Sequence, residues 1–147
     1  MSESRVPRDE LNELLNGAVE VAAEALTERG EFQPFALALR TDGEIVHLSP
    51  DEGEEHDDEA VVGSLRATLR SRSGEYRAVA VVADVTLEDE KQEAMSSAIA
   101  VSMEHVTEEP VNCYVPYEIG EDDELELAEL VGEPGERHIF VGAGALN

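Results

Sequence analysis

The sequence is poor in positive charge, cysteine and aromatic residues, and each shortage excludes a class of function. Its 147 residues carry 35 acidic side chains against 10 lysines and arginines, a net charge of −25. A basic footprint for nucleic acid is therefore excluded. The single cysteine, Cys113, cannot form an intramolecular disulfide or a cysteine-based zinc site. With 4% aromatic residues and no tryptophan, the chain also lacks the material for a base-stacking platform.

Long apolar runs are missing as well. No run approaches the roughly 18–20 apolar residues of a membrane span, and the N-terminal sequence MSESR has no apolar signal core. We therefore expect a cytoplasmic protein with no membrane partner. The hydrophobic fraction of 41% is enough to close a core. The length fits a single domain over 1–147, with frayed tails at 1–6 and 142–147.

The excess of acid has two interpretations. Lys91 is the only lysine, and acidic residues are scattered along most of the chain, as in a proteome adapted to concentrated salt. Alternatively, the charge forms a face that binds a protein with a basic face or mimics DNA. Glutamate outnumbers aspartate 26 to 9, which weakens the first interpretation because we expect a strong halophile to use more aspartate.

Two helices are predicted from apolar periodicity. Leucines, valines and alanines recur every 3.6 residues from Leu11 to Leu26, which predicts a helix over 8–29 that ends at Gly30, with Glu10 on the solvent side. The acidic loop 50–59 precedes a second helix, whose apolar face carries Val61 and Leu65 and which ends near Gly74.

A hairpin is predicted between these helices. Asp42-Gly43 is typical of a two-residue type I′ turn, which pairs Leu39 with Val46 and Leu37 with Leu48. In this register, His47 shares a face with Ala36 and Ala38.

The second half of the chain predicts further strands. Residues 76–87 are apolar on both faces, which is typical of a central strand. Residues 94–106 fit a helix or a strand, and we choose a strand over 98–106, followed by a strand over 111–119. Residues 125–131 fit a short strand or a turn of helix, and 137–141 fit a last strand.

The predicted fold is therefore α+β: an antiparallel sheet of about five strands with two helices packed on one face, in the order α-β-β-α-β-β-β-β. This element order alone is similar to that of profilin-like and roadblock-type domains.

Several segments together resemble a family of uncharacterised conserved bacterial proteins. They are residues 30–35 (GEFQPF), residues 98–101 (AIAV) leading into Glu104-His105, and Pro116-Tyr117. Family members usually have an aspartate where Ser97 stands here. The resemblance extends over residues 10–140 and implies a recurring intracellular α+β domain. It implies no activity, so no catalytic residue can be transferred to this chain.

Few residues are candidates for chemistry. Glu104 and His105 are adjacent, so on a strand they point to opposite faces and cannot both bind one metal ion. We expect no metal and no cofactor, since the chain has no His-Glu-x-x-His, calcium-loop or phosphate-loop motif. Cys113 is expected to be buried and, in the predicted register, to lie opposite Glu104, which argues against a Cys–His pair.

Three functions remain open. The leading hypothesis is a non-enzymatic binding or regulatory module that contacts a basic protein through strand 111–119, with Tyr114 and Pro116 exposed at its edge. The alternative is a small enzyme or ligand-binding domain whose pocket contains Glu104, His105 and Tyr117, with His47 beside them. A third is a homodimeric domain whose charge is an adaptation to salt.

Overall fold

The computed structural model describes residues 7–49, 58–89, 94–122 and 124–140. The predicted tails, Lys91 and most of the acidic loop lie outside these residues. The helices are α1 (Pro7–Arg29) and α2 (Asp58–Ser71), and a 3₁₀ turn (Ser73–Glu75) follows α2. The strands are β1 (Phe35–Arg40), β2 (Ile45–Leu48), β3 (Tyr76–Asp89), β4 (Ala94–His105), β5 (Val111–Ile119), β6 (Leu125–Leu127) and β7 (Val131–Pro134).

All strand pairs are antiparallel, and the order across the sheet is β2-β1-β3-β4-β5-β6, with β7 pairing β5 beside β6. The α+β class is confirmed, and the described residues contain seven strands instead of about five. The central position of β3 is confirmed, as is the strand interpretation of residues 98–105.

Helix α1 packs on one face of the sheet. Its buried stripe, which includes Leu14, Ala18 and Leu26, contacts bulky side chains of β1 and β4 such as Leu37 and Ile99. The helix ends where Gly30 adopts φ +76°, a left-handed conformation that glycine takes without strain, and the Gly30 N–H donates to the Leu26 carbonyl at 2.8 Å.

Helix α2 packs on the opposite face, so the prediction that both helices share one face is wrong. Val61, Leu65 and Leu69 lie against Ala36 and Ala38 of β1, and against Val79 and Val81 of β3. The physical reason is that β1 and β3 are apolar on both faces, and each face needs its own cover. The alanines of β1 leave room for this second layer.

The β1–β2 hairpin has a different turn from the one predicted. Three residues, 41–43, form the loop: Gly43 N–H donates to the Arg40 carbonyl at 2.9 Å, and Gly43 has φ +97°. This arrangement is a turn followed by a glycine bulge. The register moves by one residue, so Leu37 pairs with His47. His47 therefore lies on the α1 face, and the predicted grouping with the two alanines is wrong.

The C-terminal part also departs from prediction. Residues 125–127 and 131–134 are strands. Of the predicted last strand, 137–141, residues 137–140 have no strand structure, and residue 141 lies outside the described residues. The backbone amides of 138–140 bind a side chain of β4 instead of a neighbouring strand. Ile139 and Phe140 are buried in the α2-side core.

Candidate functional site

Glu104 is buried on the α2 face, with 4% of its surface exposed. Its carboxylate accepts hydrogen bonds from three consecutive backbone amides: His138 at 2.9 Å, Ile139 at 3.1 Å and Phe140 at 3.2 Å. Arg70 fixes the same segment by donating from Nε to the His138 carbonyl at 2.7 Å. Because the amides occupy both oxygens of the carboxylate, Glu104 anchors the 137–140 segment over the sheet.

His105, the next residue, faces α1 and is also buried. Its Nδ1 accepts the Thr107 backbone N–H at 3.1 Å, so the hydrogen bonds assign the ring proton to Nε2. Nε2 donates to Glu10 Oε1 at 2.9 Å, and Arg77 donates to Glu10 Oε2 at 2.5 Å. A buried carboxylate on α1 is thereby bound to one strand residue from β3 and one from β4.

Thr107 extends this cluster, so that a carboxylate (Glu10), an imidazole (His105) and a hydroxyl (Thr107) contact one another in that order. Its Oγ1 lies 3.1 Å from His105 Nδ1, the same nitrogen that accepts its amide. A general base needs that lone pair for the attacking hydroxyl. In this structure the Nδ1 lone pair accepts the Thr107 amide and so stabilises the turn after β4. Arg137 also stabilises this turn by donating to the His105 and Glu108 carbonyls at 3.2 and 2.7 Å. The cluster is therefore suited to holding structure.

Glu10 was missed by sequence analysis, which placed it on the solvent side of α1; only 4% of it is exposed. Glu10 lies on the same side of the helix as Leu14, Ala18 and Ala22, which follow it at four-residue spacing and are all fully buried. That spacing was the available signal. A carboxylate on this side is tolerated because Arg77 and His105 pair with it.

Tyr117 lies on the α1 face, where its hydroxyl donates to Asp84 Oδ1 at 2.8 Å. Burial, followed by the bond to Asp84 and its negative charge, raises the pKa of Tyr117 to about 12. Tyr117 also lines a cavity of about 580 Å³ between the end of α1 and strand β6, together with Gly30, Ser97 and Leu127.

His47 lines a different cavity, of about 420 Å³, at the β2 end of the sheet. Its ring packs edge-on against Phe35, with centroids 5.3 Å apart. The predicted shared pocket does not form: Glu104 is on one face, while His105, Tyr117 and His47 occupy three separate places on the other.

Cys113 is 5% exposed, and burial raises the pKa of its thiol. It pairs with Val101, so its predicted position opposite Glu104 is wrong. The connection between β4 and β5 is longer than the predicted turn, since Met103 is the residue that pairs with Val111. A thiol buried in this apolar layer packs as a small hydrophobic side chain.

The predicted interface strand, β5, does not have an open edge. β7 pairs with residues 111–114 and β6 with 117–119, and Pro116, which has no N–H to donate, falls in the gap between them. Tyr114 and Pro116 are both half-buried. The Tyr114 hydroxyl donates to Glu133 of β7 at 2.9 Å. The edge of the sheet is therefore formed by β6 and β7.

This outer edge, residues 125–134, carries exposed apolar side chains. Leu127 is 45% exposed, Leu130 41% and Val131 56%. Glu126, Glu129 and Glu133 lie among them in the sequence and are exposed too. Glu126 also pairs across the strands with Glu118 of β5, which places two like charges side by side.

Within the described ranges, no group of three or more histidine, cysteine or acidic side chains is placed to bind a metal ion. Neither helix in the described part of the chain combines the length and the apolar character that crossing a membrane requires. Comparison with protein-family models, curated proteins and solved structures finds no match. The similarity in element order to profilin-like and roadblock-type domains therefore stays a prediction.

Proposed function

We propose that the protein is a non-enzymatic binding module whose outer edge, residues 125–134, holds an extended segment of a partner protein that is both basic and apolar. The observation that carries the proposal is the row of Leu127, Leu130 and Val131, exposed at a sheet edge among glutamates. A cytoplasmic location belongs to the same proposal and agrees with the unpaired Cys113.

The backbone of this edge supports the proposal. Within the described residues, β6 and β7 each pair with β5 on one side and with no strand on the other. An edge strand with free N–H and C=O groups can add a strand from another chain, with affinity from the backbone and selectivity from alternate side chains.

The negative charge of this edge determines which kind of partner segment can bind. A partner strand with lysine or arginine at alternate positions would meet Glu126 and Glu133, which lie on one face of the sheet, while its intervening apolar side chains would cover Leu127 on the other face. The same charges disfavour a second copy of this chain, because edge-to-edge pairing would bring glutamates together. A homodimer at this edge requires enough salt to screen them.

The test is an NMR titration of the ¹⁵N-labelled protein in 0.15 M KCl with an eight-residue peptide of alternating lysine and valine. We expect the shifted amides to concentrate in 125–134. A lysine–serine peptide of equal charge measures simple attraction to an acidic protein. We expect it to bind at least tenfold more weakly, because it buries no apolar surface on the two leucines.

The matched variants are Leu127→Ser with Leu130→Ser at this edge, and Ile45→Ser at the opposite edge of the sheet, where Ile45 is 36% exposed. The double variant is expected to weaken the lysine–valine peptide at least tenfold and Ile45→Ser to leave it unchanged. Equal binding of the two peptides, or shifts centred on β2, would overturn the proposal. Self-association through residues 125–134 without peptide would favour the homodimer instead.

A further inference from the structure

The second cavity lies at the other end of the sheet, far from residues 125–134 in strand order. It is formed by the last turns of α1, the connection from α1 to β1, and the end of β2. Its volume of about 420 Å³ falls in the range of roughly 300–1,000 Å³ that small-molecule sites occupy. None of its lining residues takes part in the proposed protein interface.

The floor of this cavity is apolar and fixed. Phe32 and Phe35 are 6% and 5% exposed, and their rings meet edge to face with centroids 6.0 Å apart. Val21 and Ala25 of α1, together with Pro34, complete the apolar part of the lining. Because the phenylalanines are already packed, a ligand would find a preformed surface and would not have to order it.

The rim supplies hydrogen-bond donors. Arg29, His47 and Ser49 line the cavity, and the His47 Nε2 and Ser49 Oγ atoms lie 3.5 Å apart. Within the described residues, no carboxylate lies within 4.0 Å of the Arg29 guanidinium, whereas Arg77 is bound to Glu10. In a chain with 35 acidic residues, an arginine at a cavity that forms no ion pair with any described residue can bind a carboxylate from outside.

We infer that this cavity binds a small organic carboxylate whose apolar body is about the size of one ring. The ring lies on Phe32 and Phe35, and the carboxylate accepts hydrogen bonds from Arg29, with His47 and Ser49 beside it. The net charge of the protein does not prevent this, because charges more than about 8 Å away are largely screened at 0.15 M salt. Glu31, which is also at the cavity, disfavours ligands with several negative charges.

The experiment compares three probes with the same ring and different heads: 3-phenylpropionate, 3-phenylpropan-1-ol and 3-phenylpropylamine. Each is titrated by NMR into the ¹⁵N-labelled protein at pH 7 and 0.15 M KCl. We expect the carboxylate to shift amides in 29–35 and 47–49. The alcohol is expected to bind at least tenfold more weakly at the same amides, and the amine more weakly than the alcohol.

Variants separate the head group from the apolar floor. Arg29→Gln is expected to remove the preference for carboxylate over alcohol, Arg29→Lys to retain part of it, and Arg72→Gln, a change at an exposed arginine outside the cavity, to leave it intact. Equal affinity for carboxylate and alcohol, tighter binding of the amine, or no probe-induced shift at these residues would overturn the inference. Since the peptide test uses residues 125–134, either proposal can fail while the other stands.

Discussion

In the described part of the chain, each face of the sheet buries one carboxylate, and the two carboxylates are bound by different kinds of partner. On the α2 face, Glu104 is bound by three backbone amides of a single short segment, 138–140. On the α1 face, Glu10 is bound by two side chains, Arg77 from β3 and His105 from β4. Glu104 and His105 are consecutive residues of β4, so one strand supports both arrangements from its two sides.

The two faces differ in which hydrogen-bond donors are left without an acceptor when the carboxylate is removed. Backbone amides cannot turn away to water while Ile139 and Phe140 remain in the core, so Glu104 is the acceptor on which their docking depends. Arg77 is 33% exposed and has a long side chain, so it can find water when Glu10 is removed. We therefore expect the α2 face to be the more sensitive of the two to loss of its carboxylate.

Replacing Glu104 should have the largest effect. Glu104→Ala leaves three buried N–H groups without an acceptor and is expected to lower the free energy of unfolding by about 3–5 kcal/mol. Urea denaturation measures it, and hydrogen exchange should show the amides of 138–140 losing protection. Glu118→Ala, an exposed change on β5, is the control and should stay within about 0.5 kcal/mol. A loss below about 1 kcal/mol for Glu104→Ala would contradict the anchoring role.

Replacing Glu10 should cost less. Glu10→Ala is expected to lower the free energy of unfolding by about 2 kcal/mol, because it leaves one buried donor, His105 Nε2, without an acceptor while the arginine is partly solvated. A double-mutant cycle with Arg77→Ala should give a coupling of about 1 kcal/mol between the two side chains. If Glu10→Ala proves as costly as Glu104→Ala, the proposed contrast between the two faces is wrong.

The sequence contains signals for the burial on both faces of the sheet. The alternation in 76–87 predicted that β3 is apolar on both sides, and a strand of that kind requires a layer on each face. The prediction that both helices share one face is inconsistent with this pattern. Glu10 was similarly marked by its spacing from Leu14 and Ala18. Local pattern sets which residues are buried; it does not say which element covers them.

The other side of the Glu104 interaction could not be read from sequence. Residues 137–140 alternate well enough to suggest a strand, and nothing local indicates that their amides bind a carboxylate more than thirty positions earlier. The hairpin error had a smaller cause: Asp42-Gly43 supports two-residue and three-residue loops alike, and one residue of slip moved His47 to the opposite face. Contacts distant in sequence and turn length are therefore what this sequence leaves undetermined.

Each face also has one tyrosine bound to a carboxylate, which offers a milder comparison. Burial and the bond to Asp84 raise the pKa of Tyr117 to about 12, and burial and Glu133 raise the pKa of Tyr114. The Tyr117 phenol keeps its proton above pH 10, where the unfolded chain loses it. This contribution to stability is complete below about pH 10 and is lost as the pH rises towards 12.

We expect Tyr117→Phe to lower the free energy of unfolding by about 1 kcal/mol at pH 7, and Tyr114→Phe by less, because its bond to Glu133 is exposed. Urea midpoints measured from pH 8 to pH 11 test the linkage. The alkaline decline should be shallower in Tyr117→Phe than in Tyr114→Phe. An equal decline in the two variants would show that the Tyr117–Asp84 bond does not hold the proton in place.

Salt is expected to have the smallest effect on the difference in stability between the Glu104 and Glu10 variants. Spreading 25 net charges over 9,415 Å² of surface puts them about 19 Å apart, between the Debye lengths of about 8 Å at 0.15 M and 30 Å at 0.01 M. Added KCl should therefore stabilise the wild-type fold mostly below 0.15 M. The losses caused by Glu104→Ala and Glu10→Ala should differ by less than about 0.5 kcal/mol between 0.1 and 1 M KCl, because buried pairs are little screened.

Thermal unfolding of the wild type and the two variants at each KCl concentration measures how these losses depend on salt. A Glu10→Ala loss that shrinks strongly with salt would show that Arg77 and Glu10 interact through solvent, and the two faces would then differ in exposure instead of in the kind of partner. A wild-type fold that forms only in molar KCl would instead make the charge an adaptation to salt. In that case the acidic residues around Leu127 and Leu130 would no longer argue for a basic partner.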